Sequence, residues 1–168
     1  MPGWHFRPRG IIVDEETFGG VTELEIRQAV RLRYAVSMLT IHQSRNGYVA
    51  NPAEAAEQLA EVVSPLIRNT DLIEIGPSAA TVRVLLVGGE LGDLRNIVQR
   101  IIAEISHHRF DERHTPVVLS IGGSCFPVTA GSSRELFIQA DALAAEARET
   151  RQPYSTYRLP YRFDGGPE

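Results

Sequence analysis

The sequence predicts an α+β domain in which helices surround a central, mainly antiparallel sheet. Three observations predict it. Apolar residues recur at helical spacing in four separate stretches. Short apolar or alternating runs, suited to strands, stand between those stretches. Two of these runs, 72–75 and 81–87, face each other across the small-residue turn Gly76-Pro77-Ser78-Ala79-Ala80, and this hairpin breaks strict strand–helix–strand order.

Residues 1–10 mix Pro, Gly and aromatic residues without periodicity and form a loosely held arm, and Ile11 to Val13 is a short apolar run after it. Thr22 and Glu25 have capping-box spacing, so the first helix is expected to begin there, with Ile26, Ala29, Val30 and Tyr34 on its apolar side. Ala35 to Ile41 is a buried strand, closed by the polar turn HQSRNG. The second helix runs from about Pro52 to Arg68, with Ala56, Leu59, Val62, Val63 and Leu66 inward. After the hairpin, the third helix spans Glu90 to His107 and buries Leu94, Ile97, Val98, Ile101, Ile102 and Ile105. Pro116 to Cys125 is a strand expected to break at Gly122 and Gly123. Ser133 to Thr150 is the fourth helix, capped by Ser132 or Ser133, with Leu136, Phe137, Ala140, Leu143, Ala144 and Ala147 inward. The tail 154–168 is rich in Pro, Tyr and Arg and adds an edge strand around Tyr157. The organisation is therefore an arm (1–11), one domain (12–153) and a tail (154–168).

Composition narrows the function classes. At 168 residues, 43% hydrophobic and 23% charged, the chain is an ordinary globular domain with a sizeable core. A net charge of −4 argues against a general nucleic-acid surface, which needs clustered positive charge. All 17 basic residues are arginine, which leaves bidentate recognition of phosphate and guanine open. The single Cys125 allows neither an intrachain disulfide nor a cysteine-based metal cluster. With no run of 18 apolar residues and no signal peptide, the expected setting is cytoplasmic, without membrane insertion.

The stretch 117–148 carries a family resemblance. Ser120-Ile121-Gly122, Phe126-Pro127, Ala140-Asp141 and Ala147-Arg148 are similar to the second half of the GGDEF domain, the diguanylate cyclase fold, which reads Ser-Ile-Gly, Phe-Pro, Ala-Asp and Ala-Lys there. Asp14 and Thr17 echo the family's opening Asp-x-x-Thr, and the resemblance covers about 12–153. It implies a nucleotide-cyclase-like sheet surrounded by helices.

The departures bear on activity. The family joins two GTP molecules using metal ions held by an aspartate that ends the first core strand and by an acid in the signature loop, since hard cations on triphosphates need oxygen ligands. Here that strand ends Leu39-Thr40-Ile41-His42, and the loop Gly76-Pro77-Ser78-Ala79-Ala80 has no acid. The guanine-reading segment is shortened to about 43–51, the late lysine is Arg148, and Arg151-Gln152-Pro153 replaces the following Gly-Arg-Asn. The resemblance thus implies a degenerate domain with no catalytic residues, no metal site and no cofactor.

One feature of the family is retained. Many members carry Arg-x-x-Asp before the signature loop, an allosteric site for the product cyclic di-GMP, completed by an arginine on the next helix. Arg68, Asp71 and Arg100 stand at those positions, and Glu74 borders them. Arginine donates two parallel bonds to guanine O6/N7 or to phosphate, and aspartate accepts from guanine N1 and N2. The expected function is a cyclic di-GMP receptor that signals through a protein partner or neighbouring domain, with Tyr154, Tyr157 and Tyr161 as a candidate surface. Homodimerisation is compatible with this. The alternative is a ligand-free structural or dimerisation module of a larger signalling protein. A third reading is GTP binding or slow hydrolysis without cyclisation.

Plainer readings compete at each position. Arg68 suits a helix C-terminus, Asp71 suits a turn, and Arg95 and Arg100 suit a solvated helix face. His42 in a polar turn is expected to face solvent. His107, His108 and His114 cluster at a helix end without ligand spacing. Cys125 is a small buried hydrophobe, and Gly88-Gly89 and Gly122-Gly123 are turn or bulge glycines.

Overall fold

A computed structural model describes residues 9–45, 51–75, 80–108, 110, 116–150 and 154–160, with Pro52 described by its backbone alone. In chain order the elements are β1 (Ile11–Val13), α1 (Glu15–Leu32), β2 (Val36–Ser44), α2 (Pro52–Val63), a 3-10 turn (Ser64–Leu66), β3 (Leu72–Ile75), β4 (Thr81–Val87), α3 (Leu91–His107), β5 (Val118–Phe126), α4 (Ser133–Glu149) and β6 (Thr156–Arg158). The strands form one sheet in the order β1-β3-β4-β2-β5-β6. Its three inner pairings are antiparallel, and the short edge strands β1 and β6 run parallel to their neighbours.

Each face of the sheet carries a core, because side chains alternate along a strand. One face packs Leu39, Ile41, Ile73, Val82 and Val84 beneath α2 and α3, which contribute Leu59, Val63, Leu94, Val98 and Ile101. The other packs Met38, Leu72 and Leu85 beneath α1 and α4, which contribute Phe18, Ile26, Leu136 and Ala140.

Several local expectations are corrected. The first helix begins at Glu15, not Thr22, because the Asp14 side chain accepts from Thr17 N–H at 2.7 Å and caps it. Thr22 lies inside that helix, its hydroxyl donating back to the Phe18 carbonyl at 2.7 Å. Gly19 and Gly20 do not stop the helix, whose buried Phe18 anchors it. Val30 faces outward at 67% exposure. The β2 strand continues through His42, Gln43 and Ser44, held by pairing with β5. The second helix ends at Val63, two residues before Pro65.

The fifth strand does not break at its glycines. Gly122 pairs with Thr40 and Gly123 with Leu39 in unbroken register. A Cβ on Gly122 would stand 2.1 Å from Ala144 N and 2.2 Å from Ala140 O. The glycine is therefore the contact point at which the α4 backbone rests on the sheet. The predicted edge strand at Tyr157 is β6, parallel to β5.

Candidate functional site

Proline at position 65 ends α2, and the chain then turns through 68–71 before entering β3. Asp71 N–H donates to the Arg68 carbonyl at 3.0 Å, and Asp71 Oδ2 accepts Arg68 N–H at 2.9 Å, which closes the turn in both directions. Asp71 Oδ1 accepts Val87 N–H at 2.9 Å, tying the turn to the end of β4. The main-chain oxygen of Asp71 accepts Ile11 N–H at 3.0 Å and so secures β1. Burial pushes the Asp71 carboxyl up, opposed by the Arg68 and Val87 N–H groups and by the Arg68 charge.

This turn and the first three turns of α3 line a cavity of about 240 Å³. The three residues singled out in the sequence, Arg68, Asp71 and Arg100, all line it, with Asp93 and Asn96 beside them and Leu86 and Ile97 as apolar wall. Arg68 and Arg100 are exposed. The cavity thus presents two arginines that can donate forked hydrogen bonds, beside carboxylates and an amide.

Glu74 does not border this cavity. Strand alternation sends it to the opposite face, where it is 1% exposed. There a transverse row runs Val13, Glu74, Arg83, Thr40, Gly122, Arg158 across five pairings. Arg83 Nε and Nη2 donate to Asp141 Oδ1 and Oδ2 at 3.1 and 2.9 Å, a forked pair. Nη1 reaches Glu74 Oε1 at 3.4 Å, and the Thr40 hydroxyl donates to Asp141 Oδ1 at 2.6 Å. The guanidinium also lies 5.6 Å from the Phe137 ring centroid. Glu74 Oε2 is buried without a hydrogen-bond partner among the described residues. Burial pushes the Glu74 carboxyl up, against the pull of Arg83.

This network was not anticipated from the sequence. Its signal was nonetheless present: Glu74 and Arg83 are opposite charges interrupting two adjacent apolar strands. His42 is corrected too. It stands on β2, partly buried, with Nδ1 2.8 Å from Thr81 Oγ1. Burial, with the nearby Arg148 and Arg83 charges, lowers its pKa against the attraction of Asp141.

The turn residues 76–79, His114 and Tyr161 lie outside the described residues, while Ala80 adopts φ 62°. His108 packs against Phe110 with ring centroids 4.5 Å apart. Among the described residues no group of three or more His, Cys, Asp or Glu side chains is placed to hold a metal ion. Cys125 is fully buried, and that burial raises its pKa. Tyr154 is 60% exposed, and Tyr157 accepts from Gln99 Nε2 at 3.3 Å. Among the described residues no helix is long and apolar enough to cross a membrane.

No family model and no curated protein sequence matches the chain. Solved structures do. The GGDEF domain of YfiN (TpbB) from Pseudomonas aeruginosa superposes with a TM-score of 0.76 at 20% identity, covering 89% of this chain and 96% of that one. The active GGEEF domain of a diguanylate cyclase from Vibrio cholerae gives 0.74 at 15% identity, covering 88% and 98%. The coiled coil and GGDEF domain of DgcB from Caulobacter crescentus, in complex with c-di-GMP, gives 0.73 at 11% identity, covering 89% and 82%. Sheet order, hairpin and flanking helices therefore agree with one known architecture, and the chain has the fold of the GGDEF domain.

Proposed function

We propose that this domain is a non-catalytic receptor for cyclic di-GMP, which it binds in the cavity between the 68–71 turn and α3. The observation that carries the reading is the convergence of Arg68, Asp71 and Arg100, from two separate elements, on one cavity. The cavity is smaller than the roughly 300–1,000 Å³ usual for a drug-sized ligand. It therefore seats one base, while the remainder of a dinucleotide lies across the exposed arginines. Contact with a protein partner or neighbouring domain passes the signal on.

The polar row supports the non-catalytic part of this reading. Thr40 and His42 stand where the family resemblance places a metal-binding carboxylate, and neither supplies one. The nearest carboxylates, Glu74 and Asp141, are already paired with the Arg83 guanidinium, a fixed cation that disfavours a second one. Restoring the acid alone is expected to fail. Thr40→Asp would set a buried carboxylate against Asp141 in place of a donated hydrogen bond, at a cost of about 2 kcal/mol or more. Urea unfolding checks this; an unchanged midpoint, or cyclase activity in that variant, would contradict it.

Isothermal titration calorimetry with cyclic di-GMP, using GTP plus Mg²⁺ as control, tests the receptor reading. Micromolar or tighter binding that disappears in Arg68→Ala is the expected result. A folded sample that gives no heat with either nucleotide would leave the domain a ligand-free module whose role lies in its protein contacts. Mg²⁺-dependent GTP turnover would overturn the non-catalytic assignment.

A further inference from the structure

The sheet ends in two short strands, and the grooves beside them carry opposite charge. β1 and β6 have three residues each and are outermost among the described residues, where their outer main-chain edges have no strand to pair with. Beside β1, Ile12 and Ile75 line a groove of about 490 Å³ together with Glu54, Glu57 and Glu61 of α2. Beside β6, Leu143, Leu159 and Pro160 line one of about 730 Å³ together with Arg95 of α3 and Arg158. Both arginines are exposed and make no hydrogen bond or ion pair among the described residues. One residue of the minority sign stands at each edge: Arg9, which reaches Glu61 at 3.4 Å, and Glu146 of α4. Neither groove shares a residue with the cavity between the 68–71 turn and α3.

Strand direction decides how these edges can meet. β1 is parallel to β3, three antiparallel pairings follow through β4, β2 and β5, and β6 is parallel to β5. β1 and β6 therefore run in opposite directions. A second copy in the same orientation brings its β1 antiparallel to β6 of the first, the slightly more stable sense of pairing. Both faces then match. Ile12 shares a transverse row with Ile73, Val84, Leu39 and Gly123, and the Leu159 side chain closes that row against Gly123. On this face Leu159 meets Ile12 of the next copy, and Arg95 faces the glutamates of its α2. On the other face Arg158 shares a row with Val13, two residues before the exposed Glu15 that opens α1. A two-fold arrangement would instead set arginine on arginine at β6, or glutamate on glutamate at β1.

We propose that this domain assembles head to tail, with β6 of one copy pairing antiparallel with β1 of the next so that the sheet continues from copy to copy. Charges of one sign on both edges would only keep copies apart, whereas opposite signs on opposite edges draw them together. A heterologous contact leaves one edge free at each end, so association continues past the dimer as concentration rises. The paired edges are short, which makes each contact weak and reversible. The inference is independent of the cyclic di-GMP reading.

Sedimentation velocity on the whole chain tests this between about 0.05 and about 0.5 M salt, a range over which the screening length falls roughly threefold. At low salt the wild type is expected to pass the mass of a dimer as its concentration approaches about 100 µM, and to return toward the monomer at high salt. Arg95→Glu with Arg158→Glu turns the β6 edge acidic, and Glu57→Arg with Glu61→Arg turns the β1 edge basic. Each double variant is expected to lose about tenfold or more in self-association. All four positions are exposed, so both variants should fold, which their melting temperatures check. Mixed in equal amounts, the two should associate again, because each supplies the charge that the other's edge now lacks. A wild type that stays monomeric at low salt, or that stops at a dimer, overturns the proposal. So does undiminished association in either folded variant alone, or a mixture of folded variants that stays monomeric. If a variant does not fold, the wild-type series in concentration and salt decides.

Discussion

Gly122→Ala is expected to be among the most damaging single-methyl changes in this domain, costing upward of about 3 kcal/mol. The new Cβ would stand 2.1 Å from Ala144 N, 2.2 Å from Ala140 O and 2.7 Å from Leu143 C, all backbone atoms of α4. No rotamer change relieves a clash with backbone, so the helix must lift from the sheet. Lifting it loosens Leu136, Ala140 and Ala144, which are fully buried, and pulls Asp141 away from Thr40 and Arg83. Thermal or urea unfolding measures the loss. The control is Gly92→Ala, where nothing lies within 4 Å of the added Cβ and the change is expected to be neutral or stabilising by up to about 1 kcal/mol, since alanine favours a helix over glycine. Equal stabilities for the two variants would refute the close approach.

Arg83→Met is expected to cost about 3 kcal/mol at neutral pH, because removing one partner leaves the other charge buried and unpaired. The exposure of the three side chains divides the damage. Glu74 is 1% exposed and suffers most, whereas Asp141 is 40% exposed and can turn to water. The sign of the pH dependence follows from Glu74. Its carboxyl is raised in the fold by burial, so its contribution is fully present below the ordinary glutamate value and is lost as pH rises through the raised one. The deficit of Arg83→Met should therefore shrink as pH falls and Glu74 takes a proton. For the same reason Glu74→Gln should compare more favourably with wild type at pH 7 than near 4.5, the unperturbed glutamate value. Adding Glu74→Gln to Arg83→Met should recover most of the neutral-pH loss. Denaturant midpoints at the two pH values check all three statements, and a deficit that grows on acidification would reverse the assignment of Glu74 as the sensitive group.

The elements and their order were legible because each carries its own period. The faces of α3 and α4 stand in the sequence as repeats of three and four, and both helices lie within one residue of their expected ends. Boundaries failed where a local signal competed with a longer-range one. Thr22 has the spacing of a cap, but Asp14 starts the helix eight residues earlier because its carboxylate reaches the Thr17 N–H. His42 to Ser44 are polar enough for a turn, but pairing with β5 holds them as strand. Gly122 and Gly123 resemble a break, yet it is the approach of α4 that requires the first of them.

For the candidate site, the sequence by itself determined the residue types: two arginines and an aspartate at family-like spacing, and the absence of acid at Thr40 and in the loop 76–80. Spacing along the chain carries no record of what each oxygen is bonded to. Only the tertiary structure decided that Asp71 spends both carboxylate oxygens on backbone, that Glu74 faces away from the cavity, and that Arg83 binds Asp141 across 58 positions of sequence. Periodicity reports which face a side chain takes, whereas hydrogen-bond partners and buried ion pairs depend on which elements the fold brings together. That information arises when α4 settles on Gly122 and the 68–71 turn closes against β4.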